Sequence, residues 1–370
     1  MKSGNNSKDF PTQFTAILER IETIDPVKYG KTRNFIDGGV TYLSPYISRG
    51  VISTKQILER TITRGHKPGN IERFIQELAW RDYWQQVWIE KRNAINEDLK
   101  NAQSRVTNYQ FPETVTSAST GIIAIDNALQ DFYDTGYMHN HLRMYVASII
   151  CNIGGSHWRH PAQWMYYYLL DGDWASNALS WQWVAGANSN KKYFANQENI
   201  NKYCYTTQVG TFLDVPYESF PEMIIPRILE NTSTIELTTK LPKQKEIHID
   251  AELPTCLYNY YNLDPNWKMD IKANRVFLLE PSHFEAYPVS TRSLDFALSL
   301  SENIDGIQVY VGEFSSFRTE HNTKDIFYKE HPLARHYKGI EEPRDWMFDV
   351  KGYYPSFFQF WKKAKKQLKL

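Results

Sequence analysis

Polar side chains lie among large aromatic rings between Asp134 and Lys202, and this stretch carries the strongest chemical signal of the chain. Its indoles alternate with amide and charged groups: Trp158, Trp164, Trp174, Trp181 and Trp183 beside Asn140, Arg143, Asp171, Asp173 and Asn177. A buried, flat, polar ligand requires rings to pack against and a few placed donors and acceptors. A large helical core with ordinary caps and ion pairs is the alternative interpretation.

Helical spacing would position these groups. Asn140 and Arg143 fall on one face of a predicted helix, three residues apart. After an Asp-Gly-Asp turn, Asp173, Asn177 and Trp181 follow at i, i+4 and i+8, so one face of the next helix presents an acid, an amide and an indole. Nothing before residue 205 alternates like a strand, and the region therefore predicts an all-α domain.

A second chemical cluster lies on the amphipathic segment 71–91. Glu77 and Arg81 stand at i, i+4 within a stripe of tryptophans that includes Trp80. Such a pair is usually a surface ion pair, but within this stripe we expect it to be partly buried and committed to a partner.

Hydroxyl groups cluster where the segment LSPYISRG begins a helix. Ser44 before Pro45 predicts an N-cap followed by proline at the first helical position, and Ser53 with Gln56 predicts a capping box. Free amides at a helix start also bind phosphate. Capping and phosphate binding both remain open for these residues.

Composition excludes several classes of protein. Lys+Arg and Asp+Glu are 42 each, so no global charge indicates nucleic acid, although a local groove stays possible. The three cysteines are widely spaced, and His139 and His141 point apart on a helix, so neither disulfides nor a metal is expected. No segment predicts a signal peptide or a membrane span, which makes the cytoplasm the expected location. By elimination, an organic cofactor would supply the chemistry.

The character of the chain changes after residue 210. Prolines and a threonine-rich stretch predict a connector, and three buried strands follow: EIHID (246–250), RVFLLE (275–280) and GIQVYVGEF (306–314). A helical pattern, TRSLDFALSLSEN, separates the last two. We therefore expect a helical domain at 1–210 and a smaller α/β domain with a parallel sheet at 211–370. The C-terminal YPSFFQFWKKAKKQLKL predicts a basic helix with an aromatic start.

Five blocks resemble the flavin-binding domain of the DNA photolyase/cryptochrome family. They are LSPYISRG, ELAWRDY, TGYMHNHLRM, WR followed by DGD, and N-x-x-x-WQW, in family order across residues 12–205. The resemblance implies a mainly α fold, bound FAD and, in the repair branch, light-driven splitting of cyclobutane pyrimidine dimers in damaged DNA by a monomer. The family's α/β antenna domain normally comes first, so residues 215–370 would be a displaced or separate domain. A second, antenna chromophore is not decided by the residues.

The resemblance implies a role for each matching residue around FAD. Those expected at the diphosphate are Tyr29, Thr41, Leu43, Ser44 and Arg81, with Phe74 beside the cofactor. Those expected around the flavin and ribityl chain are Asn140, Arg143, Asp171, Asp173 and Asn177, the last facing flavin N5. Arg143 paired with an aspartate would give the reduced flavin a counter-charge.

The same resemblance implies a lesion pocket and an electron relay. The pocket would consist of Glu77, Trp80, Asn140, Met144 and Trp183. Two indoles and a thioether would pack on the flipped bases, while the carboxyl and amide groups would reach their polar edges. Trp181 and Trp158 match the proximal and middle members of the relay, and the segment between Trp88 and Trp158 contains no tryptophan to serve as the distal one.

Two departures from the family pattern concern DNA. His141 stands where repair enzymes usually place an arginine on DNA phosphate, and KKYFANQ lacks a further arginine, although Lys191 and Lys192 could replace its charge. Neutral charge and the missing distal tryptophan favour a rival interpretation, a blue-light cryptochrome that binds FAD and signals to a protein partner. A flavin-binding or structural protein without photochemistry is the second rival.

Overall fold

The computed structural model describes residues 9–368. They form two compact units. The sheet unit contains the described residues up to Val27, Thr41–Glu90 and the residues from Leu237 onward, and the helical unit contains Lys28–Val40 and Lys91–Glu236. Most of the long helix 72–91 thus belongs to the same unit as the sheet. The boundary at residue 210 between a helical and an α/β domain, which the sequence predicts, stays a prediction.

Helices dominate the described residues. In chain order the α-helices are α1 (Phe14–Glu22), α2 (Pro26–Thr32), α3 (Ser44–Ser48), α4 (Thr54–Thr63), α5 (Glu72–Lys91), α6 (Glu113–Thr116), α7 (Ile123–Thr135), α8 (Asn140–Ser148), α9 (Arg159–Tyr168), α10 (Trp174–Ala185), α11 (Gln197–Cys204), α12 (Pro281–Ala286), α13 (Thr291–Ser301), α14 (Phe314–Glu320) and α15 (Phe357–Ala364). No helix within residues 9–368 is long and apolar enough to cross a membrane.

The strands form a two-stranded ribbon and a five-stranded sheet. They are β1 (Phe111–Pro112), β2 (Thr232–Ser233), β3 (Thr255–Tyr258), β4 (Asn274–Leu279), β5 (Ile307–Val311), β6 (Ile326–Lys329) and β7 (Ile340–Glu342). The ribbon pairs β1 with β2 antiparallel, and the sheet has the order β5-β4-β3-β6-β7 with all pairs parallel. A mainly helical fold with a parallel α/β sheet is confirmed.

The central strands of the five-stranded parallel sheet are buried on both faces. Every residue of β3 and β4 is buried, as expected where helices cover a sheet on both sides. Helices α12 and α13 connect β4 to β5, and α14 connects β5 to β6. Leu257, Val276 and Tyr328 pack in one core with Phe314 and Phe317 of α14. The predicted crossover helix and the strands at 275–280 and 306–314 are confirmed as α13, β4 and β5.

The predicted strand EIHID (246–250) is wrong. The backbone of His248 binds the side-chain amide of Gln308 at 2.7 Å in both directions, instead of joining a strand ladder. Ile247 and Ile249 still pack against the sheet core, which accounts for the alternating pattern. The first strand of the sheet is Thr255–Tyr258, a short apolar run.

Helix α10 forms the centre of the helical unit and packs against α8 and α9. It is apolar around most of its circumference, and Ser180 and Trp183 are its exposed residues. Asp173 caps its N-terminus by accepting a hydrogen bond from Ser176 N at 2.7 Å. Gly186 ends it with φ 86°, a left-handed conformation that favours glycine.

Candidate functional site

A buried ion pair joins α8 to the loop after α9 in the helical unit. The Arg143 guanidinium donates from Nη2 to Asp171 Oδ2 at 2.9 Å and from Nε to the Met138 carbonyl at 2.7 Å. Asp171 is buried and Arg143 half-buried. Because two hydrogen bonds fix the planar guanidinium, its position is set before any ligand arrives. The predicted pairing of Arg143 with an aspartate is therefore present.

The first turns of α10 hold the predicted acid and amide. Asp173 Oδ1 accepts the capping hydrogen bond from Ser176 N, so this oxygen already binds the helix backbone. Asn177 is buried, and its side-chain nitrogen donates to the Ala162 carbonyl at 2.7 Å. This bond ties α10 to α9 and fixes the orientation of the Asn177 amide.

The predicted Ser44 cap is wrong in detail. Leu43 is the N-cap residue of α3, no side chain caps the helix, and Ser44 is its first residue. Thr41 Oγ1 accepts a hydrogen bond from Leu43 N at 3.4 Å. By contrast, the predicted capping box is confirmed, since Ser53 and Gln56 bond reciprocally at 3.0 and 3.1 Å.

Arg81 brings α5 to α3 in the sheet unit. Its Nη1 donates to Ser48 Oγ at 2.7 Å, at the end of the helix that Ser44 begins. Arg81 is half-buried, whereas Phe74, two turns earlier on α5, lies in the core. The Arg81 guanidinium thus lies at the C-terminal end of α3, and its predicted phosphate contact stays a prediction.

An unexpected aromatic partner covers Trp80. Its indole stacks on the Phe357 ring of α15, with centroids 3.9 Å apart and planes at 10°. Lys365 at the end of the same C-terminal segment binds Glu72 at the start of α5 at 2.8 Å. Sequence reasoning found the aromatic start of this helix but not where it docks. At least one of its lysines is engaged in an internal ion pair.

The remaining residues of the predicted pocket lie on α8 and α10. Asn140 is exposed, Met144 half-buried, and Trp183 39% exposed with its ring 5.9 Å from Tyr193. His141 Nδ1 bonds the Asn34 carbonyl at 2.9 Å. Burial lowers the pKa of His141, so its ring does not carry a fixed positive charge for DNA phosphate at neutral pH.

Both predicted relay tryptophans are buried in the helical unit. Trp181 lies on α10, and Trp158 immediately precedes α9. The Trp158 Nε1–H group donates to Asp98 Oδ1 at 2.7 Å. Sequence reasoning missed Asp98, because it lies in an irregular polar segment that gave no periodic signal.

Tyr29, the remaining predicted phosphate contact, lies on α2 and is half-buried. The predicted site residues are thus divided between the two units. Those of the sheet unit are Thr41, Leu43, Ser44, Phe74, Glu77, Trp80 and Arg81. Those of the helical unit are Tyr29, Asn140, His141, Arg143, Met144, Trp158, Asp171, Asp173, Asn177, Trp181 and Trp183. Within residues 9–368 no group of three or more His, Cys, Asp or Glu side chains could hold a metal ion.

Comparison with known proteins identifies the helical segment. Residues 74–214 match the family model described as the FAD binding domain of DNA photolyase. A deoxyribodipyrimidine photo-lyase from Streptomyces griseus is 32% identical over 151 residues, covering 40% of this chain and 33% of that protein. Residues 74–214 are therefore similar to the FAD-binding domain of the photolyase/cryptochrome family.

Proteins named as cryptochromes are also similar to this chain. A cryptochrome DASH from Ostreococcus tauri is 31% identical over 185 residues, covering 47% of this chain and 33% of that protein. The solved cryptochrome of Synechocystis sp. PCC6803 is 26% identical, with a TM-score of 0.46 over 52% of this chain and 44% of that one. The chain spans about a third of the length of these two curated relatives.

FAD is the cofactor of the matched domain. The donor set of the helical unit fits such a group, because it holds a fixed guanidinium, two buried carboxylates and a buried amide among tryptophans. Arg143 and Asp171 would hold the flavin end of this group. The predicted role of each residue toward FAD stays a prediction.

Proposed function

We propose that this chain is a light-driven DNA repair flavoprotein that splits cyclobutane pyrimidine dimers. The match of residues 74–214 to the FAD binding domain of DNA photolyase carries the proposal. The Arg143–Asp171 pair supports it, because a fixed guanidinium stabilises a negative charge on a neighbouring ligand. When bound and reduced, FAD supplies the electron that light transfers to the dimer.

Damaged DNA is the proposed partner, with the dimer flipped out of the duplex. Trp80, Met144 and Trp183 would pack against its bases, and Asn140 would reach a polar edge. The carboxyl group of Glu77 would donate a hydrogen bond to a carbonyl group of the dimer and stabilise the charge that develops there. Trp181 and Trp158 would pass electrons to the cofactor. The surface near Lys191 and Lys192 would contact phosphate.

A second candidate is a light-sensing cryptochrome without repair activity, and one observation favours it. Phe357 covers a face of Trp80 with a close parallel stack. An indole whose face is already occupied by the chain's own helix offers less surface to a flipped base. A cryptochrome DASH is moreover among the similar proteins.

The test uses the purified full chain and an oligonucleotide that contains one cyclobutane dimer. The visible spectrum is recorded, the protein is reduced and illuminated, and loss of the dimer is followed by chromatography. Flavin bands with light-dependent loss of dimers are expected. Flavin bands with no loss of dimers would favour the sensor, and absence of flavin bands would end both candidates.

Glu77→Ala tests the pocket assignment within the same assay. Loss of a hydrogen bond to a charged group costs about 1.5–3 kcal/mol, so repair should fall about tenfold or more while flavin stays bound. Glu90→Ala is the matched control, an exposed residue on the same helix. If both variants repair at the wild-type rate, Glu77 does not contact the substrate.

A further inference from the structure

The C-terminal helix α15 lies along α5 in the sheet unit. Its first residue, Phe357, stacks on the Trp80 indole with centroids 3.9 Å apart. At the other end, Trp361 Nε1 and Lys365 Nζ both donate to Glu72 Oε1, at 3.2 and 2.8 Å. The start of α15 thus contacts the middle of α5 and its end contacts the start of α5, so the two segments run antiparallel.

The two faces of α15 differ in character. The face against the fold is buried and apolar, with Phe357, Phe360, Trp361 and Ala364. The outward face is exposed and carries Phe358, Gln359, Lys362 and Lys363, followed by Lys366. Phe358 and Lys362 stand one helical turn apart, so the exposed ring and the exposed charges lie on the same side.

The charge of this segment has a single sign. Residues 351–368 contain five lysines and no aspartate or glutamate. Lys365 is committed to Glu72, whereas Lys362, Lys363 and Lys366 form no ion pair within residues 9–368. A solvated helix face usually carries charges of both signs. This face therefore attracts a polyanion.

Neighbouring groups do not neutralise the three exposed lysines. The negative end of a helix dipole amounts to about half an elementary charge. The exposed carboxylate of Asp349 belongs to a residue whose backbone binds the Gln367 amide, so it lies near the end of the segment. One carboxylate and half a charge leave a positive surface.

The exposed ring indicates which polyanion fits. Phe358 is 67% exposed, and its ring lies 5.6 Å from that of Phe357, beside the stack on Trp80. Successive bases of a single strand stack on aromatic rings while lysines contact its phosphates. In a duplex the base faces are already covered by their neighbours. A ring among lysines therefore fits a strand whose bases are unpaired.

A membrane surface fits less well. An amphipathic helix that binds lipid buries its apolar face among the acyl chains. The apolar face of α15 is instead packed against the fold, and Phe358 is the large apolar side chain left on the outward face.

We propose that the outward face of α15 binds a DNA strand with unpaired bases, which stack on Phe358 while Lys362, Lys363 and Lys366 contact phosphates. The inference deepens the proposed function, because it adds a contact for the damaged strand beside the pocket predicted around Trp80. Helix α15 lies outside residues 74–214, so the match to the FAD binding domain assigns it no role.

The test measures binding of the full chain in the dark to a labelled single-stranded oligonucleotide without dimers, by fluorescence anisotropy over a series of salt concentrations. Each neutralised phosphate of a single strand contributes about 0.7 to the slope of log K against log salt. The combined variant Lys362→Gln, Lys363→Gln and Lys366→Gln should therefore bind more weakly, with a slope reduced by up to about 2.

Two controls isolate the position and the sign of the charge. Lys240→Gln, Lys243→Gln and Lys245→Gln together remove three exposed lysines elsewhere in the sheet unit and should leave affinity and slope close to those of the wild type. Arginine at the three α15 positions keeps the positive charge and should retain binding, because phosphate contacts depend on charge and position.

Phe358→Ala tests the stacking contact. Its affinity for the single strand should fall about fivefold or more, with an unchanged salt slope, because an uncharged ring is removed. Met269→Ala is the matched control, at a 44% exposed apolar residue of the same unit, and should bind like the wild type. A duplex of the same sequence should bind the wild type more weakly than the single strand does.

Wild-type affinity and slope in the lysine-to-glutamine variant would overturn the phosphate contacts. Wild-type affinity of Phe358→Ala, or equal affinity for the duplex, would overturn the stacking contact. Binding to phosphatidylserine vesicles without binding to the oligonucleotide would overturn the whole inference in favour of a membrane surface.

The assay needs neither flavin nor a dimer, so its outcome is separate from that of the repair assay. Failure of dimer repair with α15-dependent binding intact would overturn the repair activity alone. Dimer repair by a chain whose α15 variants bind like the wild type would overturn this inference alone.

Discussion

The Trp80 indole and the Phe357 ring stack face to face, with centroids 3.9 Å apart and planes 10° from parallel. Phe357 is the first residue of α15 and is buried, so this contact holds the C-terminal helix against α5. The Lys365–Glu72 bond at 2.8 Å is a second attachment between the same segments. A ring assigned to the substrate by resemblance therefore also stabilises the fold.

Phe357→Ala tests the structural part of this relationship. Removing a buried phenylalanine costs about 3–5 kcal/mol, through lost burial and the cavity left behind, so the free energy of unfolding should fall by that amount. Urea denaturation followed by tryptophan fluorescence measures it. Phe358→Ala, at an exposed neighbour, should change stability by about 0.5 kcal/mol or less. Equal effects of the two substitutions would contradict the stack as a stabilising contact.

The buried carboxyl group of Asp82, in the sheet unit, should make the free energy of unfolding depend on pH. It is buried on α5, and it accepts hydrogen bonds from Thr54 Oγ1 at 2.9 Å and from Met347 N at 3.0 Å. Burial outweighs these bonds and raises the pKa of Asp82 from 3.8 to about 6. The folded chain therefore holds this proton more tightly than the unfolded chain does.

The sign of the effect follows from linkage. The contribution of Asp82 to stability is fully present below the unfolded pKa near 3.8 and is lost as pH rises through about 6. Relative to Asp82→Asn, the free energy of unfolding of the wild type should decline across that window. Thr54→Val removes one donor to the ionised carboxylate and should extend the decline to higher pH. Identical pH profiles for wild type and Asp82→Asn would refute the assignment.

The sheet was predictable where apolar runs coincide with buried strands. Residues 275–279 form such a run and became β4, because a strand covered on both faces needs no alternation. EIHID resembles a strand because its isoleucines alternate with polar residues. Those isoleucines contact the sheet core, but the backbone of His248 bonds a side chain instead of a strand. The hydrophobic pattern of a segment indicates which of its side chains are buried, but it does not indicate which backbone groups form hydrogen bonds with another strand.

The site was predictable only where resemblance or spacing supplied a partner. The Arg143–Asp171 pair was expected from matching blocks. Asp98 and Phe357 were not, because their partners Trp158 and Trp80 lie 60 and 277 residues away in sequence. An amphipathic helix shows which face it buries, but the sequence does not say against what.

The Arg143–Asp171 ion pair should stabilise the folded chain. Removing one partner of a buried pair leaves an uncompensated charge and costs about 3–5 kcal/mol, so Asp171→Ala should lower the free energy of unfolding by an amount of that order. Arg159→Ala breaks an exposed pair with Glu97 in the same unit and should cost about 1 kcal/mol or less.

Arg143→Lys separates charge from geometry. Lysine keeps the positive charge but cannot make the fixed pair of bonds to Met138 and Asp171 that the guanidinium makes. Flavin retained after gel filtration, measured by its visible absorbance, should therefore fall in Arg143→Lys and fall further in Arg143→Ala, while Arg159→Ala retains the wild-type amount. Full retention in Arg143→Ala would mean that this guanidinium does not hold the cofactor, because no charge would then remain at that position to bind it.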